Sequence, residues 1–419
     1  MQRPRRRSGR HRRLLRYLLA ACLLAGAVGC SSAESDGNTL NWYVFQEPSG
    51  AFEQAAHRCS QRSGGRYQIA IQPLPASADA QREQLVRRLA AKDASVDILG
   101  MDVIWTAEFA EAGWIRPWTG PLRDEVARGT IPSTLQTATY EDRLWAAPFT
   151  TNAQLLWYRK DHVKEVPQTW DEMIQAARRL GTTIQVQANR YEGYTVWFNS
   201  LVFSAGGQIL AGPEEPALGP PAIRAAEIMR QVAAAGVADP AISTSTEDTT
   251  RLAFEAGRSD FMVNYTFVWP SAQQNAPEVF EHMGYARWPR VKPDEPSHVT
   301  IGGINLGVGA FSERPAAAQE AAACLRSRTN QLVAAQLGGL PPTLEDLYAT
   351  DLVREAFPFA EVLLATLKDA AQRPQTPAYN DISLAIQKTL HPPASIQPRQ
   401  DIQELRQKIE QALQSGGLL

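Results

Sequence analysis

At 419 residues the chain is too long for one hydrophobic core, so two domains are expected. It carries 42 basic and 44 acidic residues, but eight arginines and no acid fall within the first 29 positions. The remainder holds 34 basic against 44 acidic residues, a net charge of −10, which argues against nucleic acid or an anionic surface as partner.

The chain begins with MQRPRRRSGRHRRLLR, continues through the apolar YLLAACLLAGAVG and reaches Cys30-Ser31-Ser32. A basic start, a short apolar core and small residues before the break predict a secretory signal over residues 1–29. The apolar run falls short of the roughly 20 residues a membrane-spanning anchor needs. Cysteine directly after Ala27-Val28-Gly29 predicts lipoprotein processing, with Cys30 lipidated and 30–38 as a tether. Leu19-Ala20-Ala21-Cys22 is a competing site, but cleavage there would leave a short apolar core and an apolar mature tail. Arg12-Arg13 before Leu14-Leu15 leaves both general and twin-arginine export open.

From Thr39 to Pro148 strand and helix alternate. NTLNWYVF, RYQIAIQPL and VDILGM read as strands, and GAFEQAAHRCSQR, ADAQREQLVRRLAAKD and TAEFAEAGW as helices. That order predicts an α/β domain with a mostly parallel sheet. RLWAAPFTTNAQLLWYRKD then gives two short strands around Thr150-Thr151-Asn152. Helices follow in TWDEMIQAARRL, GYTVWFNSLVFSAGG and PAIRAAEIMRQVAAAG, with AGPEEPALGPP as a surface loop before the last. RSDFMVNYTFVWP is a strand entering an aromatic turn, and HVTIGGINLGVGAF a strand whose glycines allow close backbone approach. RPAAAQEAAACLRSR, AEVLLATLKDAAQ and DIQELRQKIEQALQ complete the helices. Cys59 and Cys324 both sit in helical patterns, and an oxidising compartment lets them form a disulfide; two buried thiols are the alternative. A bridge would place both segments in one domain. The late return to strand predicts two lobes joined by several crossovers, with a cleft between them.

Signatures of chemistry are missing. There is no HExxH, CxxC, GxSxG or phosphate-binding loop. His11, His57, His162, His282, His298 and His391 lack metal-ligand spacing, and Gly302–Gly309 lacks dinucleotide spacing. No metal, nucleotide or other cofactor is expected. The apolar run Val96, Ile98, Leu99, Met101 ends on Asp102, at the carboxyl end of a strand, where open α/β sheets bind ligands. With Glu108 or Glu111 it could hydrolyse a glycoside, but those two share a solvated helix face, with Phe109 and Trp114 turned inward. Trp42, Trp105, Trp145, Trp157, Trp269 and Trp288 stand beside polar residues. Aromatic faces take the C–H face of a sugar ring, and carboxylates, Asn and Arg take its hydroxyls. Core is the better expectation for any single tryptophan, Trp42 above all.

MDVIWTAEFAEAGWI, APFTTNAQLLWYRKD, VWFNSLVFSAGG, RLAFEAGRSDFMVNY and VTIGGINLGVG, after a lipoprotein signal, resemble the family 1 extracellular solute-binding proteins of ABC sugar importers. Within that family the chain is most similar to the trehalose-capturing lipoproteins of actinobacteria. The resemblance implies a monomeric, non-enzymatic protein with a two-lobed, type II periplasmic-binding-protein-like α/β fold. It would be anchored on the outer face of the cytoplasmic membrane. Residues 39–148 with parts of 300–360 would form lobe 1, and 149–299 with parts of 361–419 lobe 2. The lobes would close on ligand and dock on a permease whose ATPase is separate.

By the same resemblance Asp102, Asn152 and Glu247 would bind sugar hydroxyls, with Asp248 competing for the last role. Gly302 and Gly303 would bring backbone N–H close to ligand, and Arg373 would reach back to the sugar. Glu47 in VFQEPSG and Arg82 at a helix start are further candidates, each with a turn or surface role as alternative. Tyr265 stands where trehalose binders carry a stacking tryptophan, so Trp288 or Trp269 is expected to supply the platform. The chain is shorter than those relatives between Trp269 and Tyr285, which opens that side of the cleft.

The expected ligand is trehalose or a similar neutral disaccharide. Alternatives are another oligosaccharide or a glycerophosphodiester. The phosphodiester is opposed by Asp102, Glu247 and Glu47 and favoured only by Arg82 and Arg373. A secreted glycosidase using Asp102, or a structural envelope lipoprotein, are the remaining readings.

Overall fold

The computed structural model describes residues 37–212 and 214–415. The expected signal, Cys22 and the lipidation site Cys30 lie outside them. Strands β1 (Thr39–Phe45), β2 (Gln68–Leu74), β3 (Ile98–Asp102) and β4 (Ala146–Asn152) belong to a first sheet. Strands β5 (Leu155–Arg159), β6 (Ile184–Gln185), β7 (Phe261–Asn264) and β8 (Met283–Ala286) form a second, and β9 (Gly302–Val308) returns to the first. The sheet orders are β2-β1-β3-β9-β4 and β8-β5-β7-β6.

β1 is parallel to β3, but β9 runs antiparallel to both β3 and β4. The first sheet is therefore mixed rather than mostly parallel. The reason is the route of the chain. β4 leaves the sheet at Asn152, and β9 enters beside it at Gly302, so a strand starting at that edge must run back the other way.

The helices that matter for the site follow from their apolar spacing and caps. In α1 (Ala51–Arg62), Phe52, Ala55, Ala56 and Cys59 make one buried stripe. α2 (Ala78–Ala90) starts at Ser77, whose side chain accepts from Ala80 N, and buries Leu85 and Leu89. α3 (Trp170–Leu180) is capped by Thr169 and stopped by Gly181 in the left-handed region. α4 (Glu192–Ser204) is buried on nearly every side, as its EGYTVWFNSLVFS sequence demands. α5 (Glu247–Glu255) begins with a capping box at Thr246 and Thr249. α6 (Pro315–Leu325), α7 (Arg328–Gly338) and α8 (Tyr379–Leu390) follow β9.

Each sheet has its own core. The first gathers Trp42, Phe52 and Phe149 with ring centroids 5.1–6.0 Å apart, and adds Leu85, Ile98, Leu306 and Ala318. Cys59 and Cys324 form a disulfide that ties α1 to α6 against this core. The second gathers Trp157, Trp170, Trp197, Trp288 and Phe359. The chain passes between the cores at 152–155, at 299–302 and again after α7.

Candidate ligand site where the two sheets meet

β3 delivers Asp102 to the edge of the first sheet. Its Oδ1 accepts from Ile104 N at 3.2 Å, which starts a 3₁₀ turn, and lies 3.4 Å from Arg373 Nη2. Its Oδ2 has no protein partner among the described residues, and the side chain keeps some exposure. β4 ends on Asn152, whose Oδ1 is buried without a partner. Gly302 stands opposite Asn152, and a Cβ there would fall 2.1 Å from that Oδ1. Gly303 holds φ at +139°, with Thr150 O 2.2 Å from where its Cβ would be. A side chain at either position would collide with the Asn152 end of β4.

The second sheet supplies the opposing groups. Glu247 opens α5, and Tyr265 follows β7. A buried polar chain positions both. Gln154 Nε2 donates to Gln187 Oε1 at 2.6 Å, and Gln187 Nε2 donates to Thr250 Oγ1 and Val263 O. Asn264 Nδ2 then donates to Thr250 Oγ1 and Glu247 O, while Tyr265 N donates to Asn264 Oδ1. Burial pushes the Glu247 carboxyl up from its ordinary range, and the neighbouring Tyr191 hydroxyl works against that rise. Burial also raises the Tyr265 phenol, with Glu247 adding to it, Arg373 opposing, and Asp102 and Glu192 adding more weakly. Tyr265 thus stands in the field of all four charged groups.

Arg373 joins the two sides. Its Nη1 donates to Glu192 Oε1 at 2.6 Å and its Nη2 to Ile301 O at 3.3 Å, while Nε is buried without a partner. Burial opposes its charge, but Asp102, Tyr379 and Glu192 outweigh it and raise its pKa. Glu192 is saturated: Tyr379 Oη also donates to Oε1, and Ser383 Oγ donates to Oε2 at 2.5 Å. A buried guanidinium between two carboxylates from different elements is an ion pair whose partners must all stay.

Asp102, Asn152, Glu247, Tyr265, Gly302, Gly303 and Arg373 are therefore brought to one place. The other expected residues have different work. Both Glu47 oxygens are used locally, accepting from Ser49 N, Ser49 Oγ and Ala51 N to start α1. Arg82 sits at the margin, its guanidinium taken by Glu108 in a bidentate pair at 2.7 and 2.5 Å. Trp288 is a core residue, 1% exposed, with its ring 4.9 Å from Trp170, so it cannot serve as the expected platform. Trp269, the alternative platform, packs among Trp157, Phe280, Tyr285 and Phe359. Asp248 is exposed and pairs with Arg251, which leaves Glu247 as the inward carboxylate.

Four contributors were not anticipated: Tyr191, Glu192, Gln187 and Tyr379. Tyr191 folds its ring over the backbone at Gly193 and faces Glu247, and burial raises its phenol well above the usual range. In NRYEGYTVWF nothing but the glycine hints at this, because a glutamate in a first helical turn is an ordinary dipole partner.

Residues 66–332 match the family of bacterial extracellular solute-binding proteins. A probable ABC transporter-binding protein of Deinococcus radiodurans is 27% identical over 344 residues, 77% of this chain and 81% of that one. Among solved structures, maltose-bound MalE3 of T. maritima superposes with a TM-score of 0.82. It is 26% identical, and the match covers 89% of this chain and 99% of that one. A solute-binding protein of Thermotoga lettingae with α-D-tagatose bound reaches 0.80 at 21% identity, covering 90% of this chain and all of the other. The fold is accordingly the two-lobed α/β architecture of such proteins.

Proposed function

This chain belongs to the bacterial extracellular solute-binding protein family, and on that premise we propose that it captures a neutral disaccharide, trehalose or a close relative, between its lobes. It is a binding protein of an ABC transporter rather than an enzyme. In this reading the loaded form docks on a permease with a separate ATPase, and a lipid on Cys30 holds the mature chain at the outer face of the cytoplasmic membrane. Among the described residues, no helix is long and apolar enough to cross a membrane.

The observation that carries the proposal is a set of polar atoms at the junction that the protein leaves open. Asp102 Oδ2 and Asn152 Oδ1 lack protein partners among the described residues, and so does the nearby Arg373 Nε. A carboxylate oxygen accepts from a sugar hydroxyl, and an amide accepts from one and donates to another. Asn152 Oδ1 and Arg373 Nε are buried, and buried polar atoms without partners cost stability unless a ligand or water satisfies them. Maltose in one similar structure and tagatose in another support a carbohydrate ligand.

An anionic ligand such as a glycerophosphodiester is disfavoured by the same geometry. Arg373 is already held by Glu192 and lies beside Asp102, so the site offers no uncompensated cation. Isothermal calorimetry of the mature chain against trehalose, maltose, sucrose, glucose and glycerophosphocholine tests this, with Asp102→Ala in parallel. The reading expects disaccharide binding that is lost in the variant. Binding of glycerophosphocholine alone would overturn it.

A further inference from the structure

Asp79 is the second residue of α2, in the first lobe, and its Oδ2 accepts from the backbone N–H of Glu192 at 3.2 Å. Glu192 opens α4, which is packed into the second core. The first N–H groups of a helix have no partner inside it, and those of its second and third residues are normally met by the side chain of the residue just before the helix. In α4 that residue is Tyr191, which makes no such bond. The first lobe instead supplies an acceptor for the first N–H of the helix, that of Glu192.

We propose that Asp79 is a closure latch, a positioning residue that stabilises the closed cleft without touching ligand; this rests on the reading of the chain as a two-lobed binding protein. The contact can exist only while the lobes are together, because its donor and acceptor stand on elements packed in different cores. Its location is suited to the task. The carboxylate lies near the N-terminal ends of two helices, its own and α4, and both helix dipoles favour a negative charge there. A hollow of only about 10 Å³ remains around it, lined by Arg82, Trp105 and Glu108 from one side and Glu192, Tyr379 and Asn380 from the other. The surfaces therefore meet closely at this point. Glu192, the residue capped, also grips Arg373, which reaches Asp102. Opening the Asp79 contact frees the end of the helix that holds the arginine in register with the proposed sugar carboxylate.

The test compares Asp79→Ala, which removes the acceptor, with Asp79→Asn, which keeps one. Small-angle scattering of the mature chain reads closure, both ligand-free and with sugar added; a parent that binds no sugar and never compacts overturns the binding-protein reading itself, and the latch with it. Calorimetry with trehalose and maltose reads the consequence for capture. The latch predicts a larger radius of gyration for Asp79→Ala and a sugar Kd raised about 2- to 30-fold, the span expected for loss of a helix cap. Asp79→Asn is expected to stay close to the parent in both. Unchanged scattering and unchanged affinity in Asp79→Ala would sink the proposal. So would an asparagine variant that opens as far as the alanine one.

Discussion

The amide oxygen of Asn152 lies 2.1 Å from the point a Cβ on Gly302 would occupy. The end of a flexible side chain can move, so Gly302→Ala should fold but turn the Asn152 amide away from the site. The expected result is a sugar Kd raised about 10-fold, the worth of one net hydrogen bond, with little change in melting temperature. Gly303→Ala differs, because the atom it meets is the Thr150 carbonyl and φ is +139°. Neither can yield cheaply, so that variant should lose about 1–3 kcal/mol or more of stability. Calorimetry and thermal melts on the two variants separate the effects.

Removing the Cys59–Cys324 bridge acts on the first lobe alone. The bond closes a loop across a sequence separation of 265 and ties α1 to α6. The double Cys→Ser variant should lose about 2–5 kcal/mol, mostly by freeing the unfolded chain. Its denaturant midpoint should fall, while sugar affinity in native buffer stays within about twofold, because no cluster residue leans on the bridge. A comparable loss of affinity would show that the bridge positions the site as well.

How far the sequence could be read depended on whether a feature was local. Asp102 was visible because an apolar strand ends on it, and compartment and helical patterns allowed the Cys59–Cys324 bridge while leaving two buried thiols open. Trp288 was expected as a platform because Tyr265 leaves the stacking position without a tryptophan, whereas its burial is decided by Trp170 on a distant helix. Glu192 and Asp79 were invisible for the same physical reason. Each reads as a common acid in a first helical turn, and their contacts, Arg373 for one and the α4 backbone for the other, come from elsewhere in the chain. The antiparallel β9 was likewise hidden, since alternation of strand and helix does not say from which side a late strand enters.

Glu192→Gln tests whether the buried ion pair is structural. Glutamine keeps the shape but leaves Arg373 with Asp102 as its sole carboxylate, at 3.4 Å. Breaking a buried pair on one side costs about 3 kcal/mol. A drop of that size in unfolding free energy is expected, together with weaker sugar binding as Arg373 shifts toward Asp102. A variant as stable as the parent would mean that Tyr379, Ser383 and Ile301 hold the cluster without the charge.

Glu247 sets a pH dependence whose sign can be worked out. Burial raises its folded pKa; Tyr191 opposes, and the nearby Asp248 adds to the rise. In the unfolded chain a glutamate titrates near its ordinary value, about 4.3. Between that value and the raised one, the folded protein keeps a proton that the unfolded chain has released. Stability from this group is therefore present at acid pH and is lost as pH rises through the folded value. Asp161 behaves in the opposite way. Arg159 holds it down to about 2, so its contribution is complete above the ordinary carboxylate range and fades only in stronger acid. Asp93 and Glu320, also lowered, act in the same low window. Above about pH 5 these lowered groups are ionised in both states and add no slope, while the raised carboxylates Glu247, Glu192, Asp79 and Asp97 act with the opposite sign. The melting temperature of the ligand-free chain should accordingly carry a component that falls as pH rises above the ordinary carboxylate range. Glu247→Gln should melt higher than the parent at pH 7 and show a shallower slope. If the two profiles run parallel from pH 5 to 8, Glu247 is ionised in both states, and its charge is already satisfied without a ligand.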